Sequence, residues 1–219
     1  MKKFDRALIP AWPDLSFEQE LWSAGLQYVA GIDEAGRGAL AGPVAAAAVI
    51  LPANPAVAAQ LKGVRDSKEM TPAGRELWAG RISAVALACG VGYASNQEID
   101  SLGIVPATRL AVQRAVDFLT IPPQHLLVDY LDLPGCALPQ TALVKGDARA
   151  LSIAAASVLA KTGRDARLRL LDLDYPGYGF GAHKGYGTAG HLAAIHRLGP
   201  SPIHRLSFAP LRAEPFAGE

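Results

Sequence analysis

Short apolar runs alternate along this chain with stretches of helical periodicity, and three of the runs lead into carboxylates: Asp33 with Glu34, Asp129, and Asp147. That alternation predicts an α/β domain with a mixed sheet flanked by helices. Ligand sites in such sheets gather beyond the strand ends, where these acids fall. The 219 residues are 50% hydrophobic and 19% charged, enough for one large core. One main domain is expected over residues 25–219, preceded by an N-terminal extension over 1–24.

The extension carries Trp12 and Trp22 as candidate anchors. The first strand is expected at Tyr28–Asp33, delivering Asp33 and Glu34 to the basic turn Gly36-Arg37-Gly38. Adjacent acids at the end of a buried strand are costly without a cation between them, and a divalent metal taking oxygen ligands is the usual answer. The glycines let backbone N–H groups approach a ligand, and Arg37 adds a phosphate-matching charge. Metal and phosphate together point to phosphodiester chemistry. Gly36, Gly38 and Ala41 also fit the G-x-G-x-x-G/A turn of dinucleotide-binding folds. That turn should open a helix, yet Gly42-Pro43 follows and then Val44–Leu51, an Ala/Val/Ile run that reads as a second, antiparallel strand.

Asp66-Ser67-Lys68 centres a polar stretch, after which Thr71-Pro72 reads as cap and first turn of a helix to about Ala88. Val91–Ala94 is a third strand, and Ser95 or Asn96 caps a short helix reaching Ser101. Pro106–Leu119 is helical and ends at Pro122-Pro123. His125–Asp129 repeats the pattern of the first strand. Ala142–Val144 is a brief strand ending in Lys145-Gly146-Asp147, and a long helix follows from Ala148 to about Leu171.

Composition narrows the partners. The net charge is only +1, so any surface for a polyanion must be local. Cys89 and Cys136 form neither a C-x-x-C pair nor a disulfide framework. No signal peptide is visible, and the apolar stretch Ala39–Leu51 is broken and too short to span a bilayer, so a cytoplasmic location without membrane contact is expected.

If neighbouring strands gather Asp33, Glu34, Asp129 and Asp147, the four cannot all stay ionised without cations. Two metals roughly 3.5–4 Å apart would satisfy them and clamp both oxygens of an in-line displacement. Between Asp174 and Glu214 there is no acid, while Lys184, Arg197, Arg205, Arg212, His183, His191, His196 and His204 all occur. A basic segment facing an acidic metal centre suits nucleic acid. A zinc site is disfavoured, because His191 and His196 miss the i, i+4 spacing.

The stretch Gly31–Pro43 closely resembles the opening signature of ribonuclease HII, as do Asp66-Ser67-Lys68 and Lys145-Gly146-Asp147. Ala155–Lys161 with Arg164-Asp165, His183–Thr188, and His204-Arg205 with Ser207-Phe208 complete the resemblance in order over about residues 28–210. It implies an RNase H-like fold with a helical C-terminal segment, and a Mg²⁺- or Mn²⁺-dependent endonuclease acting as a monomer. The implied substrates are RNA–DNA hybrids and single ribonucleotides embedded in duplex DNA. Asp33, Glu34, Asp129 and Asp147 would be the metal-binding and catalytic carboxylates. Gly36, Arg37 and Gly38 would read the ribose 2′-hydroxyl, Tyr186 would stack on the neighbouring sugar, and Ser67, Lys68, Lys145 and Lys184 would touch phosphates. No protein partner, such as a replication clamp, is legible. The family's usual Asp-Gly is replaced by Asp129-Tyr130, whose ring is expected to crowd the metal site. Ala39 stands for a usual Pro, Gly103 for a commoner Asn, and Thr162-Gly163 for a Val-Thr pair inside a helix.

Overall fold

The computed structural model describes residues 4–5 and 9–212. Five strands, β1 (Val29–Ala35), β2 (Val44–Ile50), β3 (Ala88–Ala94), β4 (His125–Asp129) and β5 (Gln140–Leu143), form one sheet in the order β3-β2-β1-β4-β5. β1 pairs antiparallel with β2 and parallel with β4, so the sheet is mixed as expected, and its direction changes at β1.

Helices cover both faces. On one side lie α4 (Asn96–Leu102) and α5 (Ile104–Asp117), where Ala107, Ala111 and Ala115 pack on Ile32, Ala46, Ala48 and Val128. On the other lie α1 (Ser16–Ser23), α3 (Pro72–Val85) and the 24-residue α6 (Leu151–Asp174). β2 is buried along its whole length, which explains why Val-Ala-Ala-Ala-Ala-Val-Ile does not alternate in polarity. α6 crosses β1 so closely that a Cβ on Gly31 would lie 2.2 Å from the backbone of Ser152. Glycine inside that strand lets the helix dock. α2 (Val57–Gln60), α7 (Phe180–His183) and α8 (Ala189–Leu198) complete the set, the last two forming the helical C-terminal segment.

Local caps set several boundaries. Thr71 accepts a hydrogen bond from Gly74 N, and Ser95 with Glu98 forms a reciprocal capping box at α4. α6 starts three residues later than the sequence suggests. Gly146–Ala148 is a 3₁₀ turn, and the extended Ala150 bridges the backbone of Asp14 instead. The buried Glu18 of α1 then accepts from Ser152 N at 2.8 Å, placing a carboxylate at the positive end of α6. Trp22 packs into the core as expected of an anchor, whereas Trp12 is exposed beneath the Arg65 guanidinium. A Cβ on Gly163 would lie 2.8 Å from the Tyr93 hydroxyl, so a larger residue there would have to displace the tip of that side chain. Glu214 lies outside the described residues.

Candidate active site

β1 runs two residues further than its apolar pattern, to Ala35, because β2 keeps pairing with it after β4 has ended. Asp33 and Glu34 therefore sit within a strand, and successive side chains leave opposite faces. Asp33 points to the α6 face with Ser157, and Glu34 leaves on the α5 face and meets Arg37 at 3.2 Å. Asp129, one step past the Ile32–Val128 pair, joins Asp33 on the α6 side. Its Oδ1 accepts from Gly146 N at 2.7 Å, which ties the end of β4 to the turn carrying Asp147.

Burial and mutual repulsion govern these acids. Burial, then the charges of Glu34 and Asp129, push Asp33 well above the usual carboxylate range. Burial and the neighbouring Asp129 raise Asp147 to about 6, and burial raises Asp129. Among the described residues Asp147 Oδ1 is buried with no hydrogen-bond partner. Among the described residues no three His, Cys, Asp or Glu side chains converge closely enough to hold a metal ion as they stand. The donor chemistry nevertheless fits a hard divalent cation: oxygen atoms alone, one of them buried without a partner, on carboxylates that repel one another.

Beside the acids opens a cleft of about 760 Å³ lined by Glu34, Gly36, Arg37, Gly38, Ser67, Lys68, Lys161 and Tyr186. Most of the sequence-predicted substrate contacts thus share one wall. Lys68 reaches to 4.0 Å from Asp147 Oδ2. Burial alone would lower its pKa, but the carboxylates of Asp66, Asp33, Asp147 and Asp129 outweigh it and raise the ammonium's pKa. Ser67 is buried with its hydroxyl bonded to that of Ser157 at 3.0 Å. Lys145 is exposed in the left-handed conformation just before Asp147. Lys184 lines an adjoining cleft that shares Lys161 and Tyr186 with the first, and its ammonium donates to Gly181 O.

Two expectations are corrected. Tyr130 does not crowd the acids: its φ is 54°, a left-handed value that suits glycine, and the ring is 65% exposed. The basic C-terminal segment does not present all its charge to a ligand. Arg205, His191 and His204 are buried, and their partners are internal. His191 Nδ1 lies 3.0 Å from Tyr186 O, and His204 Nδ1 accepts from Ser201 N at 2.8 Å. Those partners fix the tautomers, so His204 Nε2–H donates to His191 Nε2 at 3.1 Å. Burial lowers both rings, His191 to about 4. His183 stacks on His191 with ring centroids 4.2 Å apart.

Sequence reasoning assigned no role to Ser157, Lys161 or Arg164. They recur at four- and three-residue steps on one face of α6, aimed at the cleft. That spacing was the available signal.

A ribonuclease HII family model matches residues 30–211. A ribonuclease HII of Geobacillus kaustophilus (strain HTA426) is 53% identical over 207 residues, covering 94% of this chain and 78% of the relative. The ribonuclease H2 of Pyrococcus horikoshii OT3 superposes with a TM-score of 0.70 at 26% identity, over 84% of this chain and 95% of that one. Bst-RNase HIII in complex with Mn²⁺ shares the fold at a TM-score of 0.62 and 19% identity, over 84% of this chain and 68% of its own. The mixed five-stranded sheet, the acids at its direction change and the long, specific match agree: the chain belongs to the ribonuclease HII family, and is a ribonuclease H hydrolase acting as an endoribonuclease on the RNA of hybrids.

Proposed function

We propose that this chain hydrolyses the RNA strand of RNA–DNA hybrids and nicks 5′ of single ribonucleotides embedded in duplex DNA, leaving 5′-phosphate and 3′-hydroxyl ends. The observation that carries the reading is the meeting of a buried acidic cluster with a cleft walled by Gly36–Gly38 and Tyr186. Asp33, Glu34, Asp129 and Asp147 would hold Mg²⁺ or Mn²⁺, two ions in the catalytic complex. When bound, these supply the Lewis acid that lowers the pKa of the attacking water and takes up charge on the leaving 3′-oxygen.

The chain's own residues do the rest. Lys68, 78% exposed at its side chain, stands where a phosphate beside the acids would lie. Lys145 adds charge at the same rim. Gly36 and Gly38 bring backbone polar groups within reach of a ribose 2′-hydroxyl, the group that separates RNA from DNA. Tyr186, 36% exposed, offers a ring to the adjoining sugar. Lys184 extends the positive wall along the strand. The free thiols of Cys89 and Cys136 support a reducing, cytoplasmic setting, where we expect a monomer. Among the described residues no helix is long and apolar enough to cross a membrane. The exposed ring of Tyr130 speaks against a relative that binds without cutting.

A duplex carrying one embedded ribonucleotide, assayed with Mg²⁺ and with Mn²⁺, tests the reading. The expected product is a single nick whose 3′-hydroxyl a polymerase extends. Failure to nick with either ion, under conditions where continuous hybrid is cut, would remove the single-ribonucleotide activity.

A further inference from the structure

Arg164 is fully buried, forms no ion pair with a carboxylate among the described residues, and sits between the two loops that face the substrate cleft. Its three nitrogens all donate to backbone carbonyls: Nε to Pro43 O at 2.8 Å, Nη2 to Ala41 O at 3.1 Å, and Nη1 to Lys184 O at 2.9 Å. The first two belong to the chain leaving the glycine turn, and the third to the loop that presents Tyr186. The side chain also runs directly under that turn. A Cβ on Gly36 would fall 1.8 Å from Arg164 Nε, so Gly36 is glycine for the arginine beneath it as well as for its φ of 90°. Above, the guanidinium lies 5.5 Å from the centroid of the Tyr186 ring.

Arg205 completes the same brace from the other side. It too is fully buried, donating from Nε to Gly42 O at 3.0 Å and from Nη1 to Arg37 O at 2.9 Å. Its own N–H donates to Leu40 O, and Leu40 N donates to Gly185 O, each at 2.8 Å. A buried guanidinium without a carboxylate is costly to maintain. Here the planar fork does what no apolar filler or lysine can, reaching carbonyls on separate segments in fixed directions.

We propose that Arg164, assisted by Arg205, is a positioning residue for ribonucleotide recognition: it fastens the Gly36–Gly38 turn and the Tyr186 loop to each other and so sets the width of the reading cleft. This rests on the proposed roles of the glycine turn and Tyr186. Neither arginine touches the carboxylates, so metal binding and sugar recognition separate when the fork is lost.

The test compares wild type, Arg164→Lys, Tyr186→Ala and the double variant on a duplex with one embedded ribonucleotide. Mn²⁺ binding by calorimetry and thermal melting are followed in parallel. Arg164→Lys keeps the charge and removes the fork. Its kcat/KM is expected to fall about 10- to 100-fold, the scale on which small misplacements act, while Mn²⁺ affinity stays within about twofold. Because both changes disturb one recognition surface, adding Arg164→Lys to Tyr186→Ala should cost less than it does alone. Equal losses in both backgrounds, or no loss, would overturn the proposal. A silent Tyr186→Ala would instead remove the recognition role assigned to that ring. Should Arg164→Lys not melt cooperatively at the assay temperature, Arg205→Lys carries the same comparison with a smaller expected loss. If that variant is unfolded too, the arginines are architectural and the proposal fails.

Discussion

The acidic strand ends and the basic C-terminal segment each bring ionisable side chains together, and they treat charge in opposite ways. At Asp33, Asp129 and Asp147 acidic side chains are gathered where they repel one another, and among the described residues Asp147 Oδ1 has no partner. Around His183, His191 and His204 every ring nitrogen has a partner within the protein. A cluster left frustrated has a use for an external cation. A cluster satisfied internally is a clasp, here one that ends on the carbonyl of Tyr186. Composition described both as polar; only the partner of each atom tells them apart.

The sharpest way to break that contrast is Asp33→Asn. Burial and acidic neighbours hold its carboxylate well above the usual range, and it feels the charges of both Asp129 and Asp147. Removing it should lower cleavage beyond the roughly 10- to 100-fold that outer-shell changes cause at metal sites. Loss of one buried like charge should also leave the metal-free protein at least as stable as wild type. Mn²⁺ should raise the melting temperature of wild type, by the ordinary linkage of a ligand to the folded state, and that gain should shrink in the variant. Retention of more than about a tenth of the wild-type rate would remove Asp33 from the metal-binding set.

The second test works on the clasp. His191 is buried against Phe180, His183 and His204, and burial depresses it to about 4. The unfolded chain binds a proton on this ring below about 6.5 while the folded one does not. Its stabilising effect is therefore complete above that pH and is lost as pH falls toward 4. His191→Gln should destabilise the protein at pH 7.5 by about 1–2 kcal/mol, the scale of lost buried hydrogen bonds. The gap to wild type should narrow between pH 6.5 and 4.5, because only wild type carries the titrating ring. The carboxylates are common to both proteins, so the difference in melting temperature isolates the histidine. A gap independent of pH would show that His191 already titrates normally.

What the sequence made legible followed from local physics. Thr71-Pro72 and Ser95 announced their helices because caps act within one turn. Asp33, Glu34, Asp129 and Asp147 stood out because carboxylates after apolar runs are costly wherever the chain goes. The end of β1 was not legible, since Asp33 and Glu34 stay in the strand only through pairing with Ala47 and Ala46 of β2. The histidine clasp was not legible either. Its members are eight and thirteen residues apart, on separate elements, and meet only in the folded chain. What Arg164 and Arg205 hold was hidden for a third reason. They recognise backbone carbonyls, which every residue has, so no complementary side chain marks their partners.

Backbone strain sharpens the comparison on the acidic side, with the smallest expected effect. Among the described residues Tyr130, Lys145 and Lys184 are the non-glycine residues at positive φ, and the first two flank the acids. A left-handed conformation costs an L-residue about 1–2 kcal/mol, and glycine's extra backbone entropy takes back about 0.5–1 kcal/mol of any relief. Tyr130→Gly should therefore stabilise the fold by about 0.5–1 kcal/mol, visible as a higher denaturant midpoint with an unchanged slope. The backbone position is held by Tyr130 N donating to Leu143 O at 2.9 Å, which glycine retains. The ring is exposed and absent from the cleft wall, so cleavage with either Mg²⁺ or Mn²⁺ should stay within about twofold of wild type, well below what losing a metal-site contact brings. A large rise in rate would mean that the ring swings over the acids in solution, and the frustrated cluster would then be partly screened by a side chain of its own chain.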